Sequence, residues 1–425
     1  MPDKIAILKK YNFWDNPNIK TGFIRESYTR SIARFLNNNL VKVLVGQRRT
    51  GKSYILRQII QQLLDKGVAR KNIFYINKEF TDFDFVETYQ DLDELIKLYL
   101  AQIEPKGKVY LFFDEIQNIK SWEKLVNSYS QDYTLDCEIF ITGSNSELLS
   151  GELATLLSGR YVQFEIFPFT YNEYISYHKL KNNKESFLQY LNTGGLPELF
   201  NLSNSETQQH YVSALKDTIL LRDIIQKYKI KDAKLLDDLF SFLVNNASKL
   251  ISITNIINYF KSKNRKTNYE TISNYINYLK VSYLIHQTEK YNISGKEILA
   301  GTYKFYINDL AYKNYLYPGF SYGIGYKLEN LVYLQLKSAG FDVYAGYLRN
   351  REVDFVAIKN SKKLYVQVSY LMTEPETINR EYASLVSIKD NFPKIIVSLD
   401  DIAFADNEGI KHIQAWKLNE YLEQF

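Results

Sequence analysis

VKVLVGQRRTGKSYILRQIIQQLL, residues 41–64, decides how this chain folds. A short apolar run with strand character, Val41 to Val45, leads into Gly46-Gln47-Arg48-Arg49-Thr50-Gly51-Lys52-Ser53, and an amphipathic helical stretch follows. The spacing G-x-x-x-x-G-K-[ST] between a strand and a helix is that of a phosphate-binding loop. Gly46 and Gly51 let the backbone curl until successive amide N–H groups converge on phosphate oxygens, and the helix N-terminus adds its partial positive charge. Lys52 then brings an ammonium to the β- and γ-phosphates of ATP, and the Ser53 hydroxyl is a ligand for Mg2+. Arg48 and Arg49 lie inside the loop, where each can touch phosphate or pair with a local carboxylate.

The other half of such a site is VYLFFDEIQNI, residues 109–119. Five apolar residues, Val109 to Phe113, read as a strand buried on both faces that ends in Asp114 and Glu115. Carboxylates at the carboxyl end of a parallel strand face the ligand crevice. Asp114 is placed to hold the magnesium through water, and Glu115 to orient and deprotonate an attacking water. Alone, an acidic pair closing a strand is a helix cap as often as a catalytic pair; behind a phosphate-binding loop it reads as catalytic. EIFITGSNS, residues 138–146, supplies a further buried strand ending in Thr142, Ser144 and Asn145, and Asn145 or Ser144 is expected to sense the γ-phosphate. Arg160, after a glycine and before another strand, is either an arginine finger or one half of a surface salt bridge.

Composition restricts the rest. The chain has 425 residues, enough for two or three domains, and 45% are hydrophobic, so each domain can bury a core. A net charge of +5 permits nucleic-acid contact without indicating it. The 36 tyrosines are spread along the chain rather than gathered into a stacking surface. A single cysteine, Cys137, rules out a disulfide framework or a cysteine zinc site. The N-terminus lacks a signal-peptide core, and no run of about 18 apolar residues could span a bilayer. These features lead us to expect a soluble cytoplasmic protein with no membrane partner.

Pattern changes divide the chain. Through residues 1–168, short β-branched or aromatic runs alternate with helical ones, which predicts a parallel α/β sheet. Residues 169–232 read as a helical connector. Residues 233–320 carry two short helices, the polar turn NRKT and a hairpin, the order of a winged helix. Its second helix begins near Arg265, Lys266, Asn268 and Tyr269, and Lys261 and Lys263 complete a small basic cluster suited to phosphate contact or to an ordinary solvated face. Residues 321–425 predict a mixed α/β domain.

GQRRTGKS, FFDEIQ, ITGSNS, LLSGRYVQFEIFPF and TGGLPE (residues 193–198) together resemble a group of prokaryotic AAA+ ATPases close to the archaeal-type and STAND branches, and the resemblance runs through LLRDII and KFYIND into the C-terminal part. It implies a sheet of order 5-1-4-3-2, a winged helix, and a C-terminal domain similar to PD-(D/E)xK nucleases. On that fold Glu329, Asp354 and Gln367 match the metal-binding positions, and Ser369 stands where a nuclease carries its lysine. Gln367 brings no charge and Ser369 no cation. Three readings therefore stay open: a nuclease with a relocated lysine, Lys363 or Lys389; a fold that binds nucleic acid without cutting; or a structural or protein-binding module. For the whole chain the expectation is a Mg2+-dependent ATPase acting on duplex or branched DNA as a homo-oligomeric ring or partial ring. The alternatives are a STAND-like switch acting on a protein partner, and an ATP-dependent nuclease.

Overall fold

The computed structural model of the chain describes residues 3–15, 18–149, 157, 159–319, 323–349, 351–402 and 404–425. It divides into two compact units, Met1–Ile166 and Phe167–Phe425. Of the motif LLSGRYVQFEIFPF, Leu156 and Ser158 lie outside the described residues.

In the first unit β1 (Val41–Val45), β2 (Ile73–Asn77), β3 (Val109–Asp114), β4 (Cys137–Gly143) and β5 (Tyr161–Glu165) form a five-stranded sheet of order β2-β3-β4-β1-β5. Every neighbouring pair is parallel. Read from the other edge this is 5-1-4-3-2, and the fold is that of a P-loop NTPase. Helices α1 (Lys4–Tyr11), α2 (Glu26–Ala33), α3 (Lys52–Asp65), α4 (Tyr89–Ile103) and α5 (Trp122–Gln131) accompany it. Strands β1, β2 and β3 are buried at every position, which is why they read as unbroken apolar runs rather than alternating ones. Apart from the polar ends Asn77 and Asp114, the exception is Lys42 on β1, whose ammonium meets Glu138 on β4 at 2.5 Å with both side chains fully buried. The N-terminal segment closes the β2 edge: Asn12 accepts from the Tyr75 N–H at 2.7 Å and donates to its carbonyl at 3.0 Å, as a neighbouring strand would.

The second unit contains α6 (Tyr171–His178), α7 (Lys184–Thr193), α8 (Ser205–Thr218), α9 (Ala233–Asn245), β6 (Leu250–Ile251), α10 (Ile253–Ser262), α11 (Tyr269–Val281), β7 (Ile285–Asn292) and β8 (Glu297–Ile307). It continues with α12 (Ile324–Ser338), β9 (Asp342–Leu348), β10 (Arg351–Lys359), β11 (Lys362–Val368), α13 (Pro375–Val386), β12 (Lys394–Ser398), β13 (Ile410–Gln414) and α14 (Leu418–Glu423). Residues 169–232, 233–320 and 321–425, expected as a helical connector, a winged helix and an α/β domain, fall here within one compact unit. The reason is a single eight-stranded sheet of order β13-β12-β11-β10-β9-β7-β8-β6. The hairpin β7–β8 pairs through β7 with β9, Lys290 opposite Ala345, so sheet hydrogen bonds cross the boundary expected at residue 320. The motif TGGLPE finds its role in this unit. Gly194 adopts φ +87°, and a Cβ there would lie 2.2 Å from Asp309 Oδ1. The Gly195 N–H donates to Asp309 Oδ2 at 2.8 Å and the Ala311 N–H to Oδ1 at 2.8 Å, so backbone amides grip a buried carboxyl.

Candidate functional site

The loop between β1 and α3 has the curl its glycines permit. Gly46 sits at φ +147° with the Ile166 carbonyl where a Cβ would be, at 2.3 Å, and Gly51 at φ +95° precedes α3 with no side chain capping the helix. The first-turn amides of α3 have no helical acceptor of their own. Lys52 is buried, and its ammonium donates to the carbonyls of Gly46 and Gln47, both at 2.9 Å, which lays the cation across the loop. Thr50 Oγ1 donates to the Gln47 carbonyl at 3.0 Å. Behind the loop the buried Arg25 donates to the Thr50 carbonyl at 2.9 Å. Arg48 pairs with Glu79 at 2.7 Å, and Arg49 is exposed, in a left-handed conformation at φ +66°.

Strand β4 lies between β1 and β3, and its Thr142 joins the two halves of the site. Thr142 Oγ1 donates to Asp114 Oδ1 at 2.5 Å and accepts the Glu115 N–H at 2.9 Å. Asp114 Oδ2 accepts from the Tyr75 hydroxyl at 3.0 Å and from Asn77 Nδ2 at 2.9 Å, and the Ser53 hydroxyl also hydrogen-bonds this carboxylate. Burial first, then the neighbouring Glu115, push the Asp114 carboxyl above its ordinary range against those bonds. Its charge is thus incompletely compensated by the chain. A hard divalent cation beside Ser53 and Asp114 would supply the compensation, and oxygen donors are what Mg2+ takes, so the residues fit it.

Glu115 is buried at φ +54° and accepts from Gln117 Nε2 at 2.5 Å; the same amide lies 3.4 Å from Ser144 Oγ. Ser144 and Asn145 are both buried at the end of β4, with Ser144 drawn toward Glu115 through Gln117. Arg160 is elsewhere. Its carbonyl accepts from the Val41 N–H at 2.9 Å and Tyr161 is in register with Val41, so it stands at the amino edge of the sheet while the loop follows Val45 at the carboxyl edge. A five-residue strand separates them by roughly 16 Å. The arginine is exposed.

Arg25, Asn77, Thr142 and Gln117 join this hydrogen-bonded cluster, and none of them was assigned a role in it from the sequence. Gln117 stood next to the acidic pair in FFDEIQ and Thr142 closed its strand, whereas Arg25 in GFIRESY carried no signal.

In the second unit Glu329 and Asp354 lie close to one another, and Gln367 Oε1 accepts the Asp354 N–H at 3.3 Å. Lys363 is elsewhere, donating to the Tyr291 hydroxyl at 3.0 Å, and Lys389 is exposed. Of the cluster near α11, Lys261, Lys263, Lys266 and Tyr269 are exposed. Arg265 is half-buried against Asp232 and Asp238, and Asn268 caps α11 by accepting the Thr271 N–H at 2.8 Å. Among the described residues no helix is long and apolar enough to cross a membrane.

Residues 38–175 match the family model described as an AAA domain, and residues 184–322 match one described as a domain of unknown function, DUF8612. An uncharacterized protein of Haemophilus influenzae is 33% identical over 393 residues, 92% of this chain and 96% of that protein. The uncharacterized protein MJ1544 of Methanocaldococcus jannaschii is 33% identical over 377 residues, 85% of this chain and 81% of its own. Among solved structures, the Walker-type ATPase PABY2304 of Pyrococcus abyssi aligns with a TM-score of 0.44 at 17% identity, over 69% of this chain and 96% of that one. The Aeropyrum pernix ORC1 protein in complex with DNA aligns with a TM-score of 0.30 at 14% identity, over 73% and 97%.

Proposed function

We propose that this chain, which belongs to the family of its Haemophilus influenzae and Methanocaldococcus jannaschii relatives and carries an AAA domain on a P-loop NTPase fold, hydrolyses ATP and couples the hydrolysis to DNA. The observation that carries the first part is the hydrogen-bonded assembly of Ser53, Asp114, Thr142 and Glu115 beside the Lys52 loop. Gln47 to Ser53 wrap the triphosphate with backbone amides, and the Lys52 ammonium leaves the Gly46 and Gln47 carbonyls for the β- and γ-phosphate oxygens. Ser53 and Asp114 hold the magnesium, which when bound neutralises charge on those oxygens. Glu115 orients a water and takes its proton as the water oxygen bonds to the γ-phosphorus and the bond to the β–γ bridging oxygen breaks, leaving ADP and phosphate. Gln117 fixes the Glu115 carboxylate, and Thr142 couples Glu115 to Asp114. Ser144 or Asn145 sits where a γ-phosphate sensor belongs. Arg160, at the far edge of its own sheet, acts as a finger only across subunits of a homo-oligomer.

The DNA reading is supported by helix α11 at the end of a polar turn, with Lys261, Lys263, Lys266 and Tyr269 exposed around it, an arrangement suited to a winged helix. A switch acting on a protein partner gains support from Arg265, whose charge is spent on Asp232 and Asp238 and is withdrawn from that surface. Steady-state ATP hydrolysis with and without duplex and branched DNA separates the two. The DNA reading predicts a several-fold rise that fades with added salt. A rate indifferent to every DNA form sinks it in favour of the switch.

A further inference from the structure

The second unit holds a carboxylate cluster whose countercharge comes from within the chain. Glu329 projects from α12, Asp354 from a bulge in β10 where the register with β9 shifts between Val353 and Val356, and Glu352 from two residues earlier on β10. All three converge on one ammonium. Lys304 Nζ, from β8, lies 2.8 Å from Glu329 Oε1, 2.5 Å from Glu352 Oε1 and 3.6 Å from Asp354 Oδ1, and its side chain is 2% exposed. The Tyr306 hydroxyl donates to the same Glu329 oxygen at 2.9 Å, and Asp354 Oδ2 accepts the Val368 N–H at 2.8 Å. On the far flank Gln367 Nε2 donates to Glu381 Oε2 at 2.8 Å, and Arg380 holds the other Glu381 oxygen at 2.7 Å. Asp354, Glu352, Gln367 and Glu381 border a cleft of about 450 Å3.

On the nuclease-like fold that the sequence resemblance implies, the point on which these carboxylates converge is where a divalent cation would sit. A divalent ion needs oxygen lone pairs aimed at a point free of other positive charge. Here that point carries a buried ammonium, and a second cation within reach of the same oxygens would be repelled in surroundings that screen poorly. Among the described residues no group of three acidic, histidine or cysteine side chains is arranged to hold a metal. A lysine serving an attacking water would have its ammonium on the water, with the carboxylates turned to the metal. In this chain the carboxylates are turned to the lysine.

We propose that Lys304 is a built-in counter-cation standing in the place of a catalytic metal among Glu329, Glu352 and Asp354, so that this half of the chain takes up no divalent ion there and cleaves no phosphodiester. The inference is independent of the ATPase reading. It is tested by Mn2+ binding, counted from the loss of the free-ion paramagnetic resonance signal, in the full ATP-free chain carrying Asp114→Asn to silence the nucleotide site. The parent should bind no Mn2+ up to about 1 mM. Lys304→Ala should gain one ion per chain, lose it when Asp354→Asn is added, and melt at a higher temperature with Mn2+ present. Lys304→Met keeps the aliphatic stem and serves if the alanine variant does not fold; the parent titration decides the matter without either. A parent chain that binds Mn2+ and loses it on Asp354→Asn overturns the proposal, as does a folded position-304 variant that gains no ion.

Discussion

Asp309 ties two distant pieces of sequence together through a single carboxyl. Burial pushes it from the ordinary 3.8 up to about 7, against the backbone bonds from Ala311, Gly195 and Leu196. Between those values the folded chain keeps a proton that the unfolded chain gives up, so stability falls as pH rises from about 4 to about 7, by at most about 1.4 kcal/mol per pH unit. Above that window the penalty is complete. Chemical denaturation across pH 4–8 should show this slope in the native chain and a flatter one in Asp309→Asn; identical slopes would contradict the assignment. TGGLPE and KFYIND were visible as motifs in the sequence, but their meeting was not, because a glycine required by a side chain more than a hundred residues away has no local signature. The candidate nucleotide site was more legible: Lys52, Ser53, Asp114 and Glu115 all belong to short contiguous patterns whose spacing such chemistry would set. Lys304 lay hidden for the opposite reason, since it comes from a hairpin outside the element that a nuclease uses for its lysine.

Strands β1, β3 and β4 were readable because a parallel strand covered on both faces must be apolar throughout; the helix starts of the second unit are fixed by caps that the structure shows and that the apolar spacing did not single out. Thr170, Asn183, Asn204, Asp232, Ser252 and Asn268 each accept the N–H three residues on. Lys42 violates the strand rule, and its partner explains how. Burial pulls its ammonium below the usual range, and Glu138 on the adjacent strand holds it charged. Breaking such a pair leaves an uncompensated charge in the sheet. Lys42→Met should therefore destabilise by about 3–5 kcal/mol, while adding Glu138→Leu should recover most of that loss. A double variant no more stable than the single one, measured by denaturant unfolding, would show that the pair is not what the sheet depends on.

For the whole molecule, pattern changes divide the chain after residues 168, 232 and 320, whereas in the structure two compact units meet at Ile166 and Phe167 and one sheet runs through the later segments. Hydrophobic periodicity reports which face of a strand is buried, not which other strand it pairs with. The parallel sheet does fix a relation that the sequence left open, because Arg160 and the phosphate loop occupy opposite edges. If the arginine serves catalysis, Arg160→Ala should bind ATP without turning it over, and mixing it with Lys52→Ala chains should restore part of the rate across a shared interface. No recovery on mixing, or normal turnover by Arg160→Ala alone, would remove the finger role. The most direct measurement is equilibrium binding of Mg·ATP together with phosphate release by the native chain, Lys52→Ala and Glu115→Gln. Native protein should bind and hydrolyse, Lys52→Ala should fail to bind, and Glu115→Gln should bind as tightly as the native chain with turnover reduced by about 100-fold or more. Normal hydrolysis by Glu115→Gln, or native protein indifferent to millimolar Mg·ATP, would contradict it.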